Sequence, residues 1–293
     1  MSNNLDSGSY VALQGTVHPN TYFQIVERRE IDWQLWLDVL RGAVAGAIFR
    51  GALEPTLCQQ ICHNFWHSSA LKGKNGGLPA HAKAFIGASI TTPPLKAYFE
   101  QVERTREALE ALFINTGDFY NNLMENIKIC LAEQGCCLRL AEYNGRRAAK
   151  YKIRSWANVG NLVLAPHDDF GLLKAPHLQG FEISQLDRVV GVVICVENGE
   201  GGELHYWNIS PDDETRKALG FKSANANYDS VGFPLEALQE FDKITVRICP
   251  GDVYLFDTSK VHAVGCKADD SANRTTILWS MAFRDPTTVL HWA

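Results

Sequence analysis

Two textures of hydrophobic spacing divide the chain near Gly135. Before it, apolar residues recur at helical intervals: Trp33, Leu35, Trp36, Val39 and Leu40 share a face. Ala47-Ile48-Phe49-Arg50 is a compact apolar run that predicts a short strand, and Glu54-Pro55 opens a helix through Phe65, proline being well placed in a first turn. Leu95, Tyr98, Phe99, Val102, Leu109 and Leu112 stripe a helix over about 94–113, with Glu103, Arg106, Glu107 and Glu110 on its solvated side. A second long helix is predicted over about 118–133. Between these pairs, Gly73, Gly76, Gly77 and Pro79 mark a flexible loop, and the apolar segment 85–90 after it reads either as a core strand or as pocket lining.

After Gly135 the pattern shortens to strand-like runs separated by turn residues. Residues 137–141 lead to Asn144-Gly145, a strong hairpin signal, and on to 150–154. Further runs cover 159–165, the β-branched stretch 189–196, the turn 197–202 with 203–207 after it, and then 244–248, 253–256, 261–266 and 275–283. Many short strands after a helical start predict a mainly β protein with a helical buttress (α+β), in which a β-sandwich or barrel is backed by helices. We expect one domain over 1–293: a loose tail at 1–20, a mainly helical buttress at 30–135, and a β core at 136–285. The polar stretch 208–243 is expected as an insertion or lid within that core.

Composition narrows the classes. With 46% hydrophobic and 21% charged residues over 293 positions, the chain is an ordinary globular protein with ample core. A net charge of −5 argues against a general nucleic-acid binder, and the basic run from Arg146 to Arg154 is too short to change that. No apolar run approaches the ~20 residues that cross a bilayer. The polar start of the chain is no targeting segment, and the eight cysteines, several inside apolar segments, read as buried free thiols of a reducing compartment. The expectation is a cytoplasmic monomer or homodimer whose partner is a small molecule. Cys58, Cys62, His63 and His67 could form a metal cluster, but Leu57, Ile61 and Phe65 define a buried stripe that the two cysteines extend.

The candidate chemistry starts at Ala165-Pro166-His167-Asp168-Asp169-Phe170. Two apart in an extended segment, His167 and Asp169 point to one face and can reach one ion. With nine histidines in the chain, a lone His-x-Asp is weak, and the third ligand must come from a neighbouring strand. His262 is the best placed; His205, alternating with Leu204 and Tyr206, is its rival. Two imidazoles and one carboxylate leave open positions on a ferrous ion, as oxygen activation requires. Arg274 and Thr276 lie two apart in the last predicted strand, and a guanidinium beside a hydroxyl suits the remote carboxylate of a dicarboxylic co-substrate. Arg154 is either a second anchor for that co-substrate, a holder of a substrate carboxylate, or a solvated strand charge. Trp156, Phe170 and Trp279 are candidate pocket walls or plain core, and Asn158 and Asn161 are candidate hydrogen-bonding groups near the metal. Asp168, between the ligands, is expected to point away from the metal in a structural role.

Jointly, His167-x-Asp169, Gly201-Gly202-Glu203-Leu204, Pro250-Gly251-Asp252-Val253-Tyr254-Leu255-Phe256, His262 and Arg274-x-Thr276 resemble the signature of the Fe(II)/2-oxoglutarate-dependent oxygenases. That resemblance spans about 136–285 and implies a double-stranded β-helix (jelly roll, cupin-like). It also implies Fe(II) on His167, Asp169 and His262, 2-oxoglutarate on Arg274 and Thr276, and O2 as the second co-substrate. The helical half, with Ile48-Phe49-Arg50-Gly51 and Leu95-Lys96-Ala97-Tyr98-Phe99, is similar to a subgroup of indole-alkaloid halogenases and hydroxylases of N-substituted amino acids. The layout of that subgroup places Phe85 and Ile86 at the substrate. Its halogenases carry a glycine where Asp169 stands, making room for chloride, so the carboxylate here implies hydroxylation. The implied reaction hydroxylates an unactivated C–H of a small molecule, an amino acid, an amino acid derivative or an alkaloid-like natural product, and converts 2-oxoglutarate to succinate. Oxidative cyclisation or desaturation by the same chemistry is the alternative outcome, and a non-catalytic jelly roll that binds a metabolite is the alternative outside catalysis.

Overall fold

The computed structural model describes residues 12–71, 82–91, 93–156, 162–219, 232–268 and 272–293. Asn158, Asn161, the glycine-rich loop and the middle of the expected insertion lie outside these residues. The first half runs β1 (Gly15–Thr16), β2 (Ile25–Arg28), α1 (Trp33–Arg41), β3 (Gly46–Phe49), α2 (Pro55–Trp66), β4 (Ala82–Ile86), α3 (Leu95–Ala111) and α4 (Phe119–Glu133). Next come β5 (Cys137–Leu140), β6 (Glu142–Tyr143), β7 (Arg146–Arg147), β8 (Lys152–Trp156), β9 (Leu162–His167), α5 (Asp169–Leu173), β10 (Val190–Glu197) and β11 (Leu204–Trp207). The chain closes with β12 (Ser210–Pro211), α6 (Asp213–Ala218), β13 (Lys243–Val246), β14 (Val253–Asp257), β15 (His262–Gly265), β16 (Thr275–Asp285) and β17 (Thr288–Trp292). No helix among the described residues is long and apolar enough to cross a membrane.

Two sheets carry the fold. The larger runs β2-β3-β14-β10-β16-β17-β5, with β8 beside β16 and β4 beside β8; the smaller runs β13-β11-β15-β9. From β8 to β11, and again from β14 to β16, successive strands alternate between the sheets, which is the winding of a jelly roll. Strand alternation sorts the side chains. Along β16, Ile277, Trp279 and Met281 join Trp36, Phe65, Tyr98 and Ile127 in the core under the helices, while Leu278 and Ser280 face a cavity between the sheets. The helices bury one face each, as the spacing predicts: Leu35, Trp36, Val39 and Leu40 on α1, and Tyr98, Phe99, Val102 and Leu109 on α3.

Three local expectations change. The Asn144-Gly145 turn, with both residues at positive φ (49° and 75°), closes only the two-residue pair β6–β7. Its flanking runs pair elsewhere, β5 with β17 and β8 with β16 and β4. The 197–202 turn does not fold β10 back on β11 but carries the chain from one sheet to the other. Finally, β17 follows β16 through a short turn and is an additional strand of the large sheet.

The Pro250-Gly251-Asp252 motif and the Ile48-Phe49-Arg50-Gly51 run meet as one joint. Gly251 has φ +91°, and a Cβ there would stand 2.5 Å from the Leu53 carbonyl. Buried Asp252 accepts from Arg50 Nη1 (2.8 Å), Gly51 N (3.1 Å) and Cys249 N (2.8 Å). Removing that carboxylate orphans the Gly51 and Cys249 N–H groups and leaves Arg50 with only Glu27 and the Arg247 carbonyl. Asp252→Ala should therefore cost about 3–5 kcal/mol of unfolding free energy, and Asp252→Asn less; a urea midpoint unchanged in the alanine variant would show that the joint does not hold the sheet edge.

Candidate metal centre

The site begins with a cross-strand pair. In the small sheet β15 runs antiparallel to β9 with His262 directly opposite His167, and on its other side His262 lies opposite Tyr206. This places the two imidazoles side by side, ring centroids 4.2 Å apart. His205, next to Tyr206, consequently points to the other face, where its Nδ1 meets Thr245 Oγ1 at 3.2 Å. The rivalry between His205 and His262 is thus resolved by pairing.

Asp169 enters from a helix, not from the extended segment expected. Asp168 keeps an extended backbone and caps α5, its side chain accepting from Gly171 N. Asp169 is then the first helical residue, its N–H donating to Thr258 O at 2.8 Å. His167 Nε2 lies 3.8 Å from Asp169 Oδ1, and His262 Nε2 lies 4.0 Å from Oδ2. Donor atoms of all three residues fall within 4.8 Å of one another, the one such His/Cys/Asp/Glu group among the described residues. Each Nδ1 is tied to a backbone carbonyl, His167 to Ala165 O (2.8 Å) and His262 to Lys260 O (3.0 Å). That bond sets the Nδ1–H tautomer and leaves each Nε2 lone pair aimed inward. Burial, and then the neighbouring His262 ring, pull the His167 imidazole down to about 4, so it stays neutral at physiological pH. The donor set, two imidazoles and a carboxylate with a cavity on the remaining side, fits a ferrous ion.

Behind the triad lies a buried cation. Arg274 is 1% exposed; its Nε donates to Gly202 O (3.1 Å) and its Nη2 to the Tyr254 hydroxyl (3.3 Å), and no carboxylate among the described residues pairs with it. A Cβ on Gly202 would stand 2.8 Å from Arg274 Cδ, so the second glycine of the Gly-Gly turn makes room for the guanidinium. Trp156 stands between two arginines: the Arg154 guanidinium carbon lies 3.7 Å from its ring centroid and that of Arg274 5.4 Å, while its indole N–H donates to Thr276 Oγ1 at 2.9 Å. Arg154 sits opposite Thr276 on one side and Phe85 on the other, so these three share the face turned between the sheets.

Four sequence-predicted residues land elsewhere. Ile86 and Trp279 fall at odd steps of their strands and pack in the helix-side core, Trp279 edge-on to Tyr120 at 5.6 Å. Phe170 lies beneath Arg216 (5.2 Å) and Lys174 (4.7 Å), and α5 lines the cavity with Leu172 and Leu173 instead. Trp156 serves as a partner of Thr276 and the arginines, not as a wall of that cavity. At 58–67, Cys58 packs in the core, while His63 and His67 stack on each other at 4.1 Å. Sequence reasoning missed two participants. Lys152 lines the cavity, and Arg216 of α6 grips buried Asp168 through Nε (3.2 Å) and Nη2 (3.1 Å). The basic run held the first of these, whereas nothing local points to the second.

Comparison with known proteins places the chain in a family. Residues 38–293 match the family model of the carrier-protein-independent halogenase WelO5. The chain is 24% identical over 229 residues to an L-isoleucine 3(1)-dioxygenase of Pantoea ananatis (strain AJ13355), covering 76% of each. Its fold is similar to that of an N-substituted L-amino acid dioxygenase from Burkholderia ambifaria AMMD, with TM-score 0.57, 11% identity, and 89% of this chain and 91% of that one covered. A second structure of that dioxygenase, in complex with alpha-KG, gives 0.52 at 13% identity, covering 88% and 89%.

Burial, with a lesser push from Asp169, raises the Asp168 carboxyl, and Arg216 and the Gly171 N–H oppose that. Arg216→Leu leaves the charge uncompensated and should destabilise the protein by about 3–5 kcal/mol, whereas the double variant with Asp168→Asn should recover much of the loss. Equal denaturation midpoints for wild type and the single variant would mean that the pair carries no such burden.

Proposed function

Because this chain belongs to the carrier-protein-independent halogenase WelO5 family, we propose that it is an Fe(II)/2-oxoglutarate-dependent oxygenase that hydroxylates an unactivated C–H of an amino acid or amino acid derivative. The observation that carries the reading is the clustering of His167, Asp169 and His262 around one point, with buried Arg274 lacking a carboxylate partner among the described residues. His167, Asp169 and His262 hold the iron, their Nδ1 bonds keeping both imidazoles correctly turned. Arg274 holds the far carboxylate of 2-oxoglutarate, an anion that offsets a charge otherwise costly to bury; Thr276, oriented by the Trp156 indole, hydrogen-bonds the same group. Ferrous iron held there supplies O2 activation at the expense of 2-oxoglutarate, which leaves as succinate and CO2. Leu164, Leu172 and Leu278 line the cavity beside the ligands and keep water from the reacting C–H.

Asp169 decides between outcomes. The halogenases this chain resembles carry a glycine there, and a carboxylate 3.8 Å from one imidazole and 4.0 Å from the other occupies the position chloride would need. The substrate class draws on the relatives, which act on L-isoleucine and on N-substituted L-amino acids by their names.

Anaerobic Fe(II) with 2-oxoglutarate should give a weak visible charge-transfer band, and admission of O2 should give succinate. His262→Ala should abolish both, and Arg274→Ala should raise the 2-oxoglutarate concentration needed by roughly 100-fold, the worth of a charge-assisted bidentate contact. Persistence of both signals in His262→Ala would sink the assignment. Product masses then separate gain of one oxygen from loss of two hydrogens, the mark of cyclisation or desaturation.

A further inference from the structure

Strand β8 presents alternate residues to the space between the sheets. Lys152 and Arg154 line the cavity, while Ile153 and Ser155 are buried. Lys152 lies opposite Leu278 of β16 and Arg154 opposite Thr276, so two cations follow one another along the wall that leads from the 2-oxoglutarate end past the metal ligands. Around Lys152 the cavity is rimmed by the hydroxyl residues Ser89, Thr91 and Ser280 and by apolar Ile90 and Leu278.

The charges facing this space do not cancel. Asp169 belongs to the metal cluster, and Asp168 is taken by Arg216 and Gly171 N. Lys152 has neither an ion pair nor a hydrogen bond to any described residue, in contrast to Arg50, Arg139 and Arg188, which all face carboxylates. Burial, followed by the nearby Arg154 charge, pulls its ammonium down to about 8 against the weaker attraction of Asp169, so it remains largely protonated at neutral pH. A half-buried ammonium without a partner, set in a cavity rimmed by hydroxyls, is what an anionic ligand group satisfies.

We infer that Lys152 is a specificity-determining residue that anchors a carboxylate of the substrate, so that the enzyme takes acids with an apolar chain and rejects neutral or cationic compounds of the same shape. The inference rests on the oxygenase reading above and narrows it. With the carboxylate on Lys152 and the Ser280 hydroxyl, the apolar chain of the substrate extends between Leu164, Leu172 and Leu278 toward the iron ligands. 2-Oxoglutarate remains on Arg274, at the other end of the row.

The test compares L-isoleucine and N-acetyl-L-isoleucine with the carboxamide of each, read both by perturbation of the anaerobic Fe(II)/2-oxoglutarate band and by succinate formation. Wild type should prefer each acid over its amide by roughly 10- to 100-fold in kcat/KM, mostly through KM, as expected for one charge-assisted contact. Lys152→Met should collapse that preference to near one, and Lys152→Arg should keep most of it. A wild-type band that no acid perturbs, or acid and amide that perform equally in wild type, would overturn the role of Lys152 while leaving the oxygenase reading intact. A preference that persists in Lys152→Met would do the same and would move the anchor to Arg154. Absence of the band in wild type would instead strike the parent reading.

Discussion

The antiparallel pairing of β15 with β9 is the constraint on which the site depends. It sets His262 opposite His167, and since side chains alternate along a strand, a slip of one residue would put the two imidazoles on opposite faces of the sheet. Everything else at the centre is tuning around that pair. The carbonyls of Ala165 and Lys260 fix the ring tautomers, and the Asp168 cap turns the chain so that Asp169 arrives in the first turn of α5.

Buried charge is distributed with a consistent logic. Where the fold needs rigidity, cations and anions are paired within the protein: Arg50 with Asp252 at the sheet edge, Arg188 with Asp257 behind β14, and Arg216 with Asp168 beside the metal ligands. Breaking any of these would leave a charge in a low-dielectric interior. Toward the cavity the arrangement reverses. Lys152 lines it, and Arg274 lies buried nearby against Trp156, neither with a carboxylate paired to it among the described residues, an arrangement that is costly to bury and that an anion from outside would offset. Stability and recognition thus use the same chemistry, and the difference lies in whether the counter-ion is built in.

Secondary structure was largely legible in the hydrophobic spacing, because a helix or strand must keep its apolar residues on one face whatever it packs against. The α1, α3 and α4 stripes and the runs that became β10, β14 and β16 follow from that rule. The grouping of His167, Asp169 and His262, and the burial of Arg274 and Thr276, were also legible, since residue type and spacing together restrict the chemistry such residues can do. Ile86, Trp279 and Phe170 were not: a large apolar residue near a site satisfies pocket and core equally, and only the strand parity of Ile86 and Trp279 and the packing of Phe170 under Arg216 separate the two.

By itself the sequence determined the helical and β halves, the pairing of an imidazole with a carboxylate two residues away, and the presence of a carboxylate at position 169. Tertiary structure alone decided that His262 and not His205 joins them, that Arg216 reaches Asp168 from 48 positions away, and that Lys152 turns into the cavity rather than to solvent. The physical reason is that spacing along a chain tells which residues share a face of one element. Which elements become neighbours, and in what register, is set by how the sheets close over a common core.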